Sequence, residues 1–156
     1  LAAEKDLTVN FSPGQASTTR ETATLPTPVG NLDTDSITKM RAIADTLALK
    51  LRYHNSEIHQ NHMPRGAEAR AIYEAVEQVR CESLGSRQFI GVAKNLDILL
   101  KDHCHSRGLS TITEQNNTNL VDAISLLVRE KLSGRDKYLD ARLLIPAQIN
   151  AESELN

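Results

Sequence analysis

The sequence predicts a mostly α-helical domain: an antiparallel helical bundle of four to five helices preceded by a small N-terminal β-hairpin. Three observations carry this expectation. From about residue 36 onward, apolar side chains recur at spacings of three and four, as a helix with one buried stripe requires. Before residue 26 the pattern alternates apolar with polar and is rich in β-formers. Between these stretches, Pro26, Pro28 and Gly30 interrupt any regular element. The organisation is then a hairpin and linker over residues 1–30, a helical domain over 31–149 and a frayed tail over 150–156.

Leu7-Thr8-Val9-Asn10-Phe11 reads as a strand, and Ser12-Pro13-Gly14-Gln15 as turn chemistry. Glu21 to Leu25 is a second strand, so the two form a hairpin with a long loop. A first helix starts near Asp35 or Ser36, either of which can cap it. Its stripe is Ile37, Met40, Ala44, Leu47 and Leu51, and His54-Asn55-Ser56 closes or kinks it. Pro64 and Gly66 separate it from a second helix over 67–84, where Gly85 is placed to serve as a left-handed cap. A third helix follows Gly91, with Val92, Leu96, Leu99, Leu100 and His103 on one face, and ends before Gly108. A fourth is capped by Asn119, lined by Val121, Ile124, Leu127, Val128 and Leu132, and ended by Gly134. Tyr138 to Ile145 suits a short last helix stopped by Pro146.

Composition narrows the function. The chain has 156 residues and a net charge of −2, which gives no electrostatic case for nucleic acid or an anionic membrane. Aromatics make up 3% with no Trp, too few for a base-stacking platform. No apolar run approaches the ~20 residues of a membrane span. Cys81 and Cys104 lie far apart, which suits reduced thiols and a cytoplasmic location.

Chemistry is sparse. The sequence holds no phosphate-cradling G-x-x-x-x-G-K-[ST], no G-x-G-x-x-G and no G-x-S-x-G. Asp33-Thr34-Asp35-Ser36 approaches an Asp-x-Ser-x-Ser metal site but has Ile37 where the second Ser belongs, and reads instead as a helix start. Asn116-Asn117-Thr118 fits a glycosylation sequon, which matters only in a secreted protein. The histidines fall in two groups, His54, His59 and His62, then His103 and His105 around Cys104. His59 and His62 stand three apart and can chelate from one helix face; His54 and His59 stand five apart, which a single helix serves poorly. His59, His62 and His103 are therefore the weak metal candidates, weighed against plain packing or capping roles. Cys81 beside Arg80 and Arg87 reads as a packing cysteine rather than an activated one. Glu74 with Glu77, and Asp97 with Asp102, read as solvated pairs.

The stretch from Arg80 to Lys94 concentrates charge and glycine at a helix–helix joint. On physical grounds Phe89 and Ile90 plug into the domain's own core. The competing reading presents Arg80, Arg87 and Phe89 to a partner.

Glu77-Gln78-Val79-Arg80-Cys81-Glu82-Ser83-Leu84-Gly85-Ser86-Arg87, followed by Gly91-Val92-Ala93-Lys94-Asn95-Leu96, resembles the CobT subunit family of the aerobic, ATP-dependent cobaltochelatase. Ala48 to His54 with His59 after it, and Leu127 to Gly134, resemble the same family in the same order. The resemblance covers most of residues 7–134; Asp136 to Ile149 matches poorly, with Leu143-Leu144-Ile145-Pro146 a weak echo. It implies an enzyme that inserts cobalt into hydrogenobyrinic acid a,c-diamide in cobalamin biosynthesis, driven by ATP. It also implies similarity to the D subunit of magnesium chelatase, and partnership with an AAA+ ATPase subunit and a large catalytic subunit, with a homo-oligomer as a further expectation. The complex as a whole uses ATP, Mg and cobalt. The family's acidic linker and C-terminal integrin-I-like domain, with its adhesion-type metal site, have no counterpart in these residues, so that site transfers to none of them. No catalytic or cofactor residue is implied here, and the expected role is non-catalytic assembly or regulation. A His-based metal-handling module and a freestanding helical interaction domain are the alternatives.

Overall fold

A computed structural model of the chain describes residues 1–2, 6–28, 30, 32–108 and 120–133. The expected caps Asn119 and Gly134, the helix at 138–145 with Pro146, the tail and the sequon at 116–118 lie outside the described residues. Three short strands precede five helices: β1 (Thr8–Ser12), β2 (Ser17–Thr18), β3 (Thr22–Pro26), α1 (Thr34–Tyr53), α2 (Ser56–Asn61), α3 (Ala67–Gln88), α4 (Ile90–Ser106) and α5 (Leu120–Ser133). The mostly helical class and the small N-terminal sheet match the sequence expectation.

The pairing within the sheet differs from it. β1 and β3, the two strands read from the sequence, pair in parallel from Thr8 against Thr22 to Ser12 against Pro26. The hairpin is instead β2 with β3, antiparallel, with Thr18 opposite Ala23. The two-residue β2 carries too little pattern to be seen in the sequence. It takes the far edge and leaves β3 central in the order β1-β3-β2. Ala23 and Leu25 of β3 are buried against Leu47 of α1, with Met40, Ile43 and Ala44 packed around them. In a parallel pair Val9 and Phe11 share the face of their partners Ala23 and Leu25. α1 covers β2 and β3 but not β1, so Val9 and Phe11 stay 51% and 57% exposed.

Helix α1 is the central element and buries two faces. The sequence stripe of Met40, Ala44 and Leu47 is the one turned to the sheet, while Ile37 at its outer end stays exposed. The opposite face, which the stripe did not include, buries Ala42 and Leu49 completely, and Leu49 packs with Tyr53, Val92 and Leu96. Its N-cap is Asp33, two or three residues earlier than expected: the carboxylate accepts from Ser36 N at 2.8 Å, and hydrogen bonding to Ser36, from its side chain first and its backbone N–H second, holds it below its ordinary pKa. The helix ends at His54. Asn55 then caps α2, accepting from the N–H groups of Glu57 and Ile58 at 3.1 and 3.0 Å. The three residues His54-Asn55-Ser56 therefore both close one helix and open a short second one.

Gly85 is not a cap. α3 continues to Gln88, and Gly85 lies buried inside it. A Cβ there would stand 2.2 Å from Leu49 Cδ2 and 2.9 Å from Leu49 Cγ. The glycine lets α1 cross α3 at close range. Gly108, by contrast, does take the left-handed conformation just past α4, at φ +67°.

Alternation of direction holds through α3, α4 and α5. α4 also runs antiparallel to α1, fastened by Lys39 to Asp102 and Asn95 to Asp45, each at 2.8 Å. Consecutive long helices α1 and α3 do not alternate: Thr46 meets Glu82 and Tyr53 meets Gln88 in the same sense. The segment through α2 instead carries the chain back along α3, as His54 meets Glu77, His59 meets Glu74 and the Pro64 carbonyl meets Arg70.

Candidate functional site

The joint between α3 and α4 is a single residue. Phe89 ends one helix and begins the other, in extended conformation at φ −129° and ψ 104°, and no side chain caps the new helix. The reading that put Phe89 and Ile90 into the domain's own core is overturned. Ile90 is 77% exposed and Phe89 37%. The reason is geometric: a one-residue break leaves no slack to fold the joint back, so the core is taken by Val92, Ala93 and Leu96 one turn later.

The joint is firmly held from beneath. Arg87 donates to the Leu132 carbonyl and so fastens the end of α5 to the end of α3. Tyr53 donates to Gln88 Oε1 at 2.7 Å. One turn earlier the buried Glu82 accepts from Gln78 at 2.7 Å, from Thr46 at 3.2 Å and from Arg129. This carboxylate ties α3 to both α1 and α5. The desolvated ion pair with Arg129 is costly unless fully hydrogen-bonded, and its oxygens meet that condition. Ser83 beside it leaves its buried hydroxyl unpartnered. Between α3, α4 and α5 lies a mostly apolar cavity of about 290 Å³, bordered by Val79, Leu96, Leu100, His103 and Arg129.

Arg80 is bound within the fold, with its side chain 41% exposed. Its guanidinium donates to both Glu77 oxygens, at 2.7 and 2.8 Å, and to the Tyr53 carbonyl at 2.7 Å. Glu77 is accordingly not the solvated carboxylate expected. The Arg80 bonds, with a further one from His54, hold its pKa down at about 2, against the opposing effect of burial. Cys81 is buried, and burial together with the Glu77 carboxylate pushes its thiol up to about 11. Arg80 pulls the other way and loses. Burial raises Cys104 as well. Both are packing cysteines.

The histidine candidates are not gathered at one point. His62 closes α2, with Nδ1 2.8 Å from the Ile58 carbonyl. His103 lies 3.2 Å from Asp122 where α4 meets α5. His59 is buried, stacked on Tyr73 at 4.5 Å, with Nε2 3.0 Å from Glu74. Its neighbour is His54, whose ring lies 4.7 Å away edge-on, and whose Nδ1 is 2.8 Å from Glu77. The spacing of five that a single helix serves poorly is brought together by the break at Asn55. The signal available in the sequence was that break itself, since an Asx cap between two histidines frees them from one helical phase.

The family model described as cobalamin biosynthesis protein CobT matches residues 1–146. The match takes in residues 136–146, the stretch whose resemblance to the family is weakest. No solved structure matches the chain.

Proposed function

We propose, from the premise that this chain belongs to the CobT family, that it is a non-catalytic assembly and regulatory domain of the cobaltochelatase. Membership gives it a part in cobalamin biosynthesis, within a multi-subunit cobaltochelatase. The finer reading is that it holds an AAA+ ATPase subunit against the large catalytic subunit, in the cytoplasm. ATP and Mg are then handled by the ATPase. Cobalt enters hydrogenobyrinic acid a,c-diamide on the large subunit.

The observation that supports this reading is the exposed joint. Phe89 and Ile90 put apolar surface into solvent at a place where the backbone is fastened on both sides. Exposed apolar side chains on a preorganised frame suit a partner surface, because little ordering entropy opposes docking. Arg87 borders this surface while bound to Leu132, so of the three partner candidates Phe89 is the one best placed for contact and Arg80 the least. Among the described residues no helix is long and apolar enough to cross a membrane. The test is co-purification of the chain with the ATPase and large subunits. Retention on either is expected; failure to associate with both removes the proposal.

A further inference from the structure

We propose that His54, His59 and Glu77 form a binding site for one divalent first-row transition ion of the Zn²⁺ or Co²⁺ kind. The site stands apart from the joint and does not depend on the assembly role. One ligand atom from each of the three residues lies within 4.8 Å of the other two. A tetrahedral ion with bonds of about 2.0–2.2 Å holds its ligands roughly 3.3–3.5 Å apart. The three side chains must draw together by roughly 1 Å to reach that spacing. Two imidazoles and one carboxylate suit borderline ions; Mg²⁺ and Ca²⁺ favour all-oxygen sets.

The three residues come from three elements. His54 ends α1, His59 lies in α2 and Glu77 on α3, so an ion here fastens the return segment between α1 and α3 to both of them. The surroundings fit a ligating role. Tyr73 stacks on the His59 ring and fixes its plane. Glu74 at 3.0 Å supplies the outer carboxylate that orients a ligating imidazole. Glu77 and Glu74 also border a cavity of about 320 Å³, which neither histidine lines. Arg80 opposes the ion, because it already donates to both Glu77 oxygens. Its charge sets the expectation at micromolar rather than tighter affinity.

The test uses the chain stripped of metal with a chelator and then titrated with Co²⁺. Visible absorbance reads the coordination, and NMR reads the histidine rings, which the paramagnetic ion shifts and broadens. The expected result is one Co²⁺ per chain with micromolar affinity, the His54 and His59 rings responding before those of His62, His103 and His105. His54→Ala and Glu77→Gln are expected to weaken binding by about tenfold or more, whereas His62→Ala and His103→Ala leave it unchanged. Absence of saturable binding to the unsubstituted chain overturns the proposal. So does a first response at His62, His103 or His105, which needs no variant to fold.

Discussion

Glu77 shows how one side chain changes role when its neighbours are known. In the sequence it pairs with Glu74 on a mixed-charge helix face. In the fold it meets His54 from the end of α1 and Arg80 from its own helix, a contact the linear order only half reveals, since Arg80 stands at i+3 and His54 does not. The pKa consequence has a definite sign. The folded-state value, about 2, lies below the ordinary 4.5, so the stabilisation is present above about 4.5 and is lost as the pH falls toward 2. In chelator-treated protein, the urea midpoint of the unsubstituted chain is expected to drop across that window. That of Glu77→Gln should be lower at neutral pH and flatter in acid. An identical acid limb in the two proteins would show that Glu77 gains nothing from its partners. Cys81 carries the complementary lesson: an arginine next in sequence does not activate a thiol when burial and a carboxylate act against it.

At the scale of elements, the sequence placed all four long helices and both five-residue strands, because each carries enough apolar positions to show its period. It could not place what depends on a partner. The parallel pairing of β1 with β3 leaves the hairpin to a two-residue strand too short to show a pattern. Gly85 is the sharper case. A glycine near a helix end is common as a left-handed cap, and nothing local separates that use from a close helix crossing. Leu49, thirty-six positions earlier, decides it. Alanine improves helix propensity over glycine by about 1 kcal/mol. The added methyl, however, meets both Leu49 methyl carbons, at 2.2 and 2.6 Å, and Leu49 is fully buried. Overpacking of this kind costs about 1–3 kcal/mol, so Gly85→Ala is expected to destabilise on balance. Combined with Leu49→Ala, the same substitution should cost nothing or help. Urea unfolding of the four proteins in a double-mutant cycle measures the coupling, and additive effects would mean that the crossing does not need the glycine.

At the scale of the molecule, the fold is a central helix between a small sheet and a helical layer, with its exposed apolar side chains in separate places. Val9 and Phe11 lie on the uncovered edge strand, and Phe89 and Ile90 on the α3–α4 joint. The family was legible from the stretch that builds this joint, yet the direction in which its two apolar residues point was not. That direction follows from the single-residue break, which only the fold reveals. Because Ile90 contributes little to the core, replacing it should leave stability within about 0.5 kcal/mol. The most direct measurement is therefore the affinity of the chain for its ATPase and large-subunit partners, with Phe89→Ser and Ile90→Asp compared against the unsubstituted protein at equal melting temperature. A loss of about tenfold or more is expected for at least one partner, as for a contact at the centre of an interface. Undiminished affinity for both partners in both variants would contradict the proposed partner surface.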